Sequence, residues 1–135
     1  MDIPSFVFIV PGVIAFFGVT ISLGACFFLR NQLLPEEAGR DAIQTVLPLT
    51  LRFEGLHFTG PFSRVSVYSD FIAFRALGAS RVIRMGSIQD VNVSNSEWIR
   101  LVYLQQGHFH IIRILTPECD RLLVAIKTLI DGRKL

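Results

Sequence analysis

The sequence predicts a mainly β domain, an antiparallel sandwich or barrel of six or seven strands capped by one C-terminal α-helix, preceded by a single transmembrane helix. Three observations predict it. From Phe6 to Leu29 the chain runs for 24 residues without Asp, Glu, Lys, Arg or His. From Leu49 onward apolar and polar residues alternate with a period of two, and beyond Thr116 the apolar spacing changes to three and four, the signatures of half-buried strands and of an amphipathic helix. The first run also explains a skewed composition: 51% of the 135 residues are hydrophobic and only 18% charged, against roughly 25% charged in soluble globular chains.

At about 1.5 Å per residue the N-terminal run forms a helix of about 36 Å, enough to cross a hydrocarbon core of about 30 Å. Pro11 falls early, where few intrahelical donors are lost, and glycine is common in membrane helices. A signal peptide is the competing reading, because Leu23-Gly24-Ala25-Cys26 resembles the lipobox at which bacterial lipoproteins are cleaved and lipidated. Against it, residues 1–5 carry no Lys or Arg and the apolar run continues past Cys26 through Leu29. Arg30 and Arg40 follow the span, whereas Asp2 is the only charged side chain before it. The positive-inside rule therefore predicts an inner-membrane protein with its N-terminus outside and its C-terminal domain cytoplasmic. Ala15, Gly18, Ser22 and Ala25 share one helix face, which suits close packing against a membrane protein partner or a second copy. Membrane helices are rich in such residues in any case.

Residues 31–48 shift to a mixed composition, with Pro35, Glu36, Glu37, Gly39, Arg40 and Asp41, and read as a linker between the span, 1–30, and the domain, 49–135. Leu49, Leu51 and Phe53 alternate with Thr50, Arg52 and Glu54, and Leu56 and Phe58 continue the pattern after Gly55. Gly60-Pro61 predicts a turn. Strands are then expected at 64–68, 71–77, 81–85, 91–93, 98–104 and 109–115, with Gly78-Ala79 and Gln106-Gly107 as turns. Thr116 suits a helix N-cap, Pro117 the first helical position, and Glu118 and Asp120 the positive end of the dipole. Cys119, Leu122, Ile126 and Leu129, flanked by Leu123 and Ile130, form the buried face, and Asp131-Gly132 is the expected stop. Cys119 is accordingly expected in the core.

Six or seven strands followed by one helix is the element order of the pleckstrin-homology (PH) superfold. The run from Pro61 to Ile72 resembles the strand pair that opens bacterial PH-like and GRAM-like domains, and Met85-Gly86-Ser87-Ile88-Gln89-Asp90-Val91 is similar to their recurrent strand jog. The resemblance spans residues 49–131 and implies a barrel plugged at one end by the helix. It departs from the phosphoinositide-binding members, whose first hairpin loop is basic, because residues 59–63 contain no Lys or Arg.

Composition and motifs narrow the function. No second run of about 18 apolar residues exists, which excludes a polytopic transporter, and the length excludes a multidomain enzyme. A net charge of +2 without an aromatic-basic stripe argues against nucleic acid. Cys26 and Cys119 lie in settings too different to predict a disulfide. Arg75, Arg81 and Arg84 cluster around Gly78, where they are candidates for contact with anionic headgroups or a partner. Alternatively they are solvated strand positions paired with Asp70 or Asp90. His108 and His110 share a strand face at a spacing that can chelate a metal, but no third ligand is evident. No Gly-x-Ser-x-Gly elbow or Gly-rich phosphate loop occurs. Trp98 and Tyr103 suit a partner-facing hairpin and ordinary sheet positions equally. These features predict no catalytic residue, cofactor, metal or small-molecule substrate. The expected function is a membrane-anchored interaction module, a scaffold or accessory subunit of a larger membrane complex. A lipoprotein or extracytoplasmic sensor anchored through Cys26 is the alternative.

Overall fold

The computed structural model describes residues 4–53, 55–77, 79–94 and 97–133. Glu54 and Gly78, used above in the strand and turn assignments, lie outside them. The first helix, α1, spans Phe6–Asn31. It is long and apolar enough to cross a membrane, and none of its apolar stretch is buried within the chain. Within it Thr20 Oγ1 donates to the Phe16 carbonyl one turn earlier at 2.8 Å, a local bond open to Ser and Thr in a helix.

A 3-10 turn at Pro35–Glu37 follows, and then nine strands: β1 Gln44–Val46, β2 Thr50–Phe53, β3 Leu56–Thr59, β4 Ser63–Val67, β5 Phe71–Ala76, β6 Ala79–Arg84, β7 Ile88–Ser94, β8 Trp98–Gln105 and β9 His108–Leu115. Helix α2, Cys119–Arg133, ends the described chain. The strands form two antiparallel sheets, ordered β1-β4-β5-β6 and β3-β2-β9-β8-β7. Val65, Ile72, Phe74 and Ile83 of the first join Leu51, Ile99, Leu101, Ile112 and Ile114 of the second in a single core. Helix α2 covers one opening of this core with Cys119, Leu122 and Ile126, against β7, β8 and β1.

The mainly β architecture with one C-terminal helix agrees with the sequence reading, but the described residues contain nine strands rather than six or seven. Two local causes account for the difference. Gly55 adopts φ +78°, a conformation that glycine takes without strain, so the single alternating run at 49–58 folds back as the β2–β3 hairpin. Residues 44–46, inside the segment read as linker, pair with β4, Val46 opposite Val65. The Gln106-Gly107 turn is present with both residues at positive φ, as a two-residue hairpin demands. Near Met85 the chain leaves β6 through a second 3-10 turn, and a bulge follows between Ile88 and Asp90. Helix α2 runs through Asp131 and Gly132 to Arg133 instead of stopping there. It begins at Cys119, two residues later than expected: Pro117 and Glu118 form a turn, the Glu118 carbonyl accepts the Leu122 amide at 3.1 Å, and Thr116 Oγ1 accepts the Glu118 amide at 3.2 Å ahead of the helix.

Candidate functional site

The described chain converges its charged chemistry where α1 meets the four-stranded sheet. A helix ends with carbonyls that have no intrahelical partner and with the negative pole of its dipole. Here arginines from adjacent strands occupy that end. Arg64 of β4 and Arg75 of β5 are register partners and so share a face. Arg64 Nε donates to the Arg30 carbonyl at 3.0 Å and Nη2 to the Gln32 carbonyl at 3.2 Å. Arg75 Nε donates to the Leu29 carbonyl at 3.1 Å, and its Nη2 to Gln32 Oε1 at 3.2 Å. From the helix side, Arg30 Nη1 donates to the Pro61 carbonyl at 2.9 Å, and the Phe27 and Phe62 rings lie 6.4 Å apart.

The chain beyond α1 then crosses the outer face of the same sheet and adds a buried anion. Glu37 is fully buried and Arg64 is 7% exposed. Their contact is a bidentate fork, Nη2 to Oε2 at 2.9 Å and Nη1 to Oε1 at 3.1 Å. The same carboxylate accepts the Leu34 amide at 2.8 Å and the Tyr68 hydroxyl at 2.9 Å. Arg64 Nη1 also reaches Ser66 Oγ at 3.3 Å. Burying two charges is tolerated only when their remaining hydrogen-bonding capacity is filled, and this cluster meets that condition. Around it Leu34, Tyr68, Phe71 and Ala73 form a small second core, with the Tyr68 and Phe71 rings stacked at 4.6 Å. Arg40 closes the strap, over the Phe71 ring at 5.0 Å and paired with Asp70 at 2.7 Å. The latter pair is half-exposed and contributes at most about 1 kcal/mol.

Burial, reinforced by the hydrogen bond to Glu37, pushes the Tyr68 phenol up from 10.0 to about 12. The folded state therefore holds this proton more tightly than the unfolded state. The resulting stability is fully present below pH 10 and is lost as the pH rises through about 12. Alkaline denaturation followed by circular dichroism should show a stability decline in that window that Tyr68→Phe removes. An identical decline in the variant would place the titrating group elsewhere.

The sequence-predicted residues fall in different places. Ala15, Gly18, Ser22 and Ala25 are all exposed along α1, and a Cβ built on Gly18 meets nothing within 4 Å. Arg75 reaches the end of α1, whereas exposed Arg84 sits opposite Phe71, at the far end of the same outer face. Arg81 is the register partner of core residue Phe74 and shares its face, so the pleat does not bring the three arginines together. Burial pushes the Cys119 thiol upward in pKa, as its core position implies, with Asp120 adding to the shift. The His110 ring stacks on Tyr103 at 5.3 Å. Among the described residues no three His, Cys, Asp or Glu side chains come together.

No family model matches the chain, and no curated protein matches it. The junction must therefore be read from its own chemistry. Arg64, Glu37 and Tyr68 were not singled out in the sequence. The available signal was Arg64-Val65-Ser66-Val67-Tyr68, whose alternation places an arginine and two hydroxyls on one face of a strand. In the structure every residue of β4 is buried, so that face is covered rather than solvated.

Proposed function

We propose that the chain is a single-pass protein of a bacterial inner membrane whose PH-like β domain stands in the cytoplasm as an interaction module, a scaffold or accessory subunit of a larger membrane complex. The observation that carries this reading is the junction. Hydrogen bonds from Arg64 and Arg75 fix the last turn of α1 to the four-stranded sheet, so the orientation of the helix sets the orientation of the domain. A flexible tether needs no such cluster. The helix itself offers its whole length, including the small-residue face, to lipid or to another helix. The element order supports the PH-like description, and Arg30 and Arg40 beyond the span support a cytoplasmic domain. The reading is of a binding protein rather than a catalyst.

One membrane preparation tests it. Tagged full-length chain extracted in mild detergent should bring down a stoichiometric membrane protein or a second copy of itself. Gly18→Leu should reduce that recovery several-fold, because close helix approach depends on the absent side chain, while Phe17→Leu, off that face, should not. A C-terminal reporter in the same strain should be active in the cytoplasm. Recovery of the chain alone, or periplasmic activity, would sink the assembly or the orientation respectively.

A further inference from the structure

The outward face of the five-stranded sheet carries a second concentration of charge that the junction does not use. Register aligns Arg52, Arg113 and Arg100 side by side on β2, β9 and β8, with His57 and Asn92 at the two ends of the row. Their chain neighbours Leu51, Phe53, Ile99, Leu101, Ile112 and Ile114 are all in the core, so the row points away from it. Arg52 and Arg113 are exposed and Arg100 is half-buried. The Arg52 guanidinium lies 5.2 Å from the centre of the Trp98 ring. A hollow of about 380 Å³ is lined by Ser94, Trp98 and the three arginines. Among the described residues no carboxylate forms an ion pair with any of these arginines.

Like charges directly opposite one another on a sheet are destabilising, and the row maintains that cost in the free protein. An anion placed over it removes the repulsion and gains forked, charge-assisted hydrogen bonds, for which guanidinium is better suited than ammonium. Strands are about 4.8 Å apart, so the three positions span about 10 Å. That is wide for one carboxylate and suits linked phosphate groups. Along the strands the charge does not continue: Trp98 and Leu115 lie on one side, Val102 and Ile111 on the other. A compact ligand fits this boundary better than an extended nucleic-acid strand, which needs a continuous basic track. We propose that the Arg52–Arg113–Arg100 row is a binding site for a ligand bearing at least two linked phosphate groups, with Trp98 as its aromatic wall.

Soluble polyphosphates and clustered lipid headgroups both present this chemistry. The membrane source is within reach because Thr59 and Trp98 occupy the next row toward the sheet end that carries the loop joined to α1 by Arg30 and Phe27. Isothermal titration of the full chain in nonionic detergent with inorganic tripolyphosphate, at constant ionic strength, tests the site. Wild type should bind saturably. The double variant Arg100→Gln, Arg113→Gln should bind at least about tenfold more weakly, yet melt no lower than wild type, since it loses only repulsion. Arg121→Gln, exposed on α2, should bind like wild type. In nanodiscs, competition by anionic but not neutral lipid would assign the ligand to headgroups, and undiminished binding in both would assign it to a soluble compound. Absence of saturable binding, wild-type affinity in the double variant, or tighter binding of single-stranded oligonucleotides with increasing length would overturn the proposal.

Discussion

Replacing Glu37 with alanine is expected to destabilise the folded chain by about 3–5 kcal/mol, because Arg64 would remain buried without its anion. A domain of this size has only about 5–15 kcal/mol to lose. The same substitution at Glu36, one residue earlier and exposed, should change the thermal midpoint by no more than a few degrees. A double variant, Glu37→Leu with Arg64→Met, should recover part of the loss, since an apolar pair of similar volume often replaces a buried ion pair at little cost, although the Leu34 amide and Tyr68 hydroxyl still lose their acceptor. It should not recover the hold on α1, whose Arg30 and Gln32 carbonyls lose their donor with Arg64. Thermal unfolding of the detergent-solubilised chain reads the first effect, and protease sensitivity after Asn31 reads the second. Equal, small changes for the two glutamates would mean that the buried cluster contributes no stability.

The two expected readouts separate because Arg64 serves two partners at once. Its Nη1 and Nη2 hold Glu37 and its Nε, with Nη2, holds the end of α1. One side chain thus couples the strap over the sheet to the helix that leaves it. Pivoting α1 against the domain requires breaking hydrogen bonds to a charged group, each worth about 1.5–3 kcal/mol, together with those of Arg75.

How much of this was legible in the sequence depended on whether the information was periodic. The span was legible because 24 uncharged residues are their own signal, and the helix was legible from Leu122, Ile126 and Leu129 at turn spacing. Strand positions followed from alternation, but alternation does not say what covers the second face. Arg64, Ser66 and Tyr68 occupy the face that a two-fold pattern assigns to water, and the group that buries them, Glu37, comes from 27 residues earlier in the chain. The same limit applies to the arginines. Arg75, Arg81 and Arg84 are close in sequence, yet the pleat turns Arg81 to the face of Phe74. Arg52, Arg100 and Arg113 are far apart in sequence, yet the strand order β2-β9-β8 sets them in one row. The Gln106-Gly107 hairpin turn sets Arg100 opposite Arg113, but Arg52 joins them through the long-range β2–β9 pairing, which leaves no local spacing to read.

Truncating Ile126 to alanine is the second large effect expected. Its side chain and that of Leu122 are wholly buried, in a core shared with β7, β8 and the 3-10 turn at Met85–Ser87. Removing the branched side chain deletes apolar contacts and leaves a cavity that the surrounding strands can only partly fill, at a cost of about 2–5 kcal/mol. For a domain of roughly 100 residues each kcal/mol corresponds to about 4–8 °C at the midpoint, so the variant should melt about 10 °C lower or more. Arg121, one position before Leu122 and exposed, supplies the control: Arg121→Ala should leave the midpoint nearly unchanged. Calorimetry on both variants of the full chain decides the matter. If they shift alike and little, α2 does not close the core, and the hydrophobic contacts between it and the sheets do not contribute to holding the fold together.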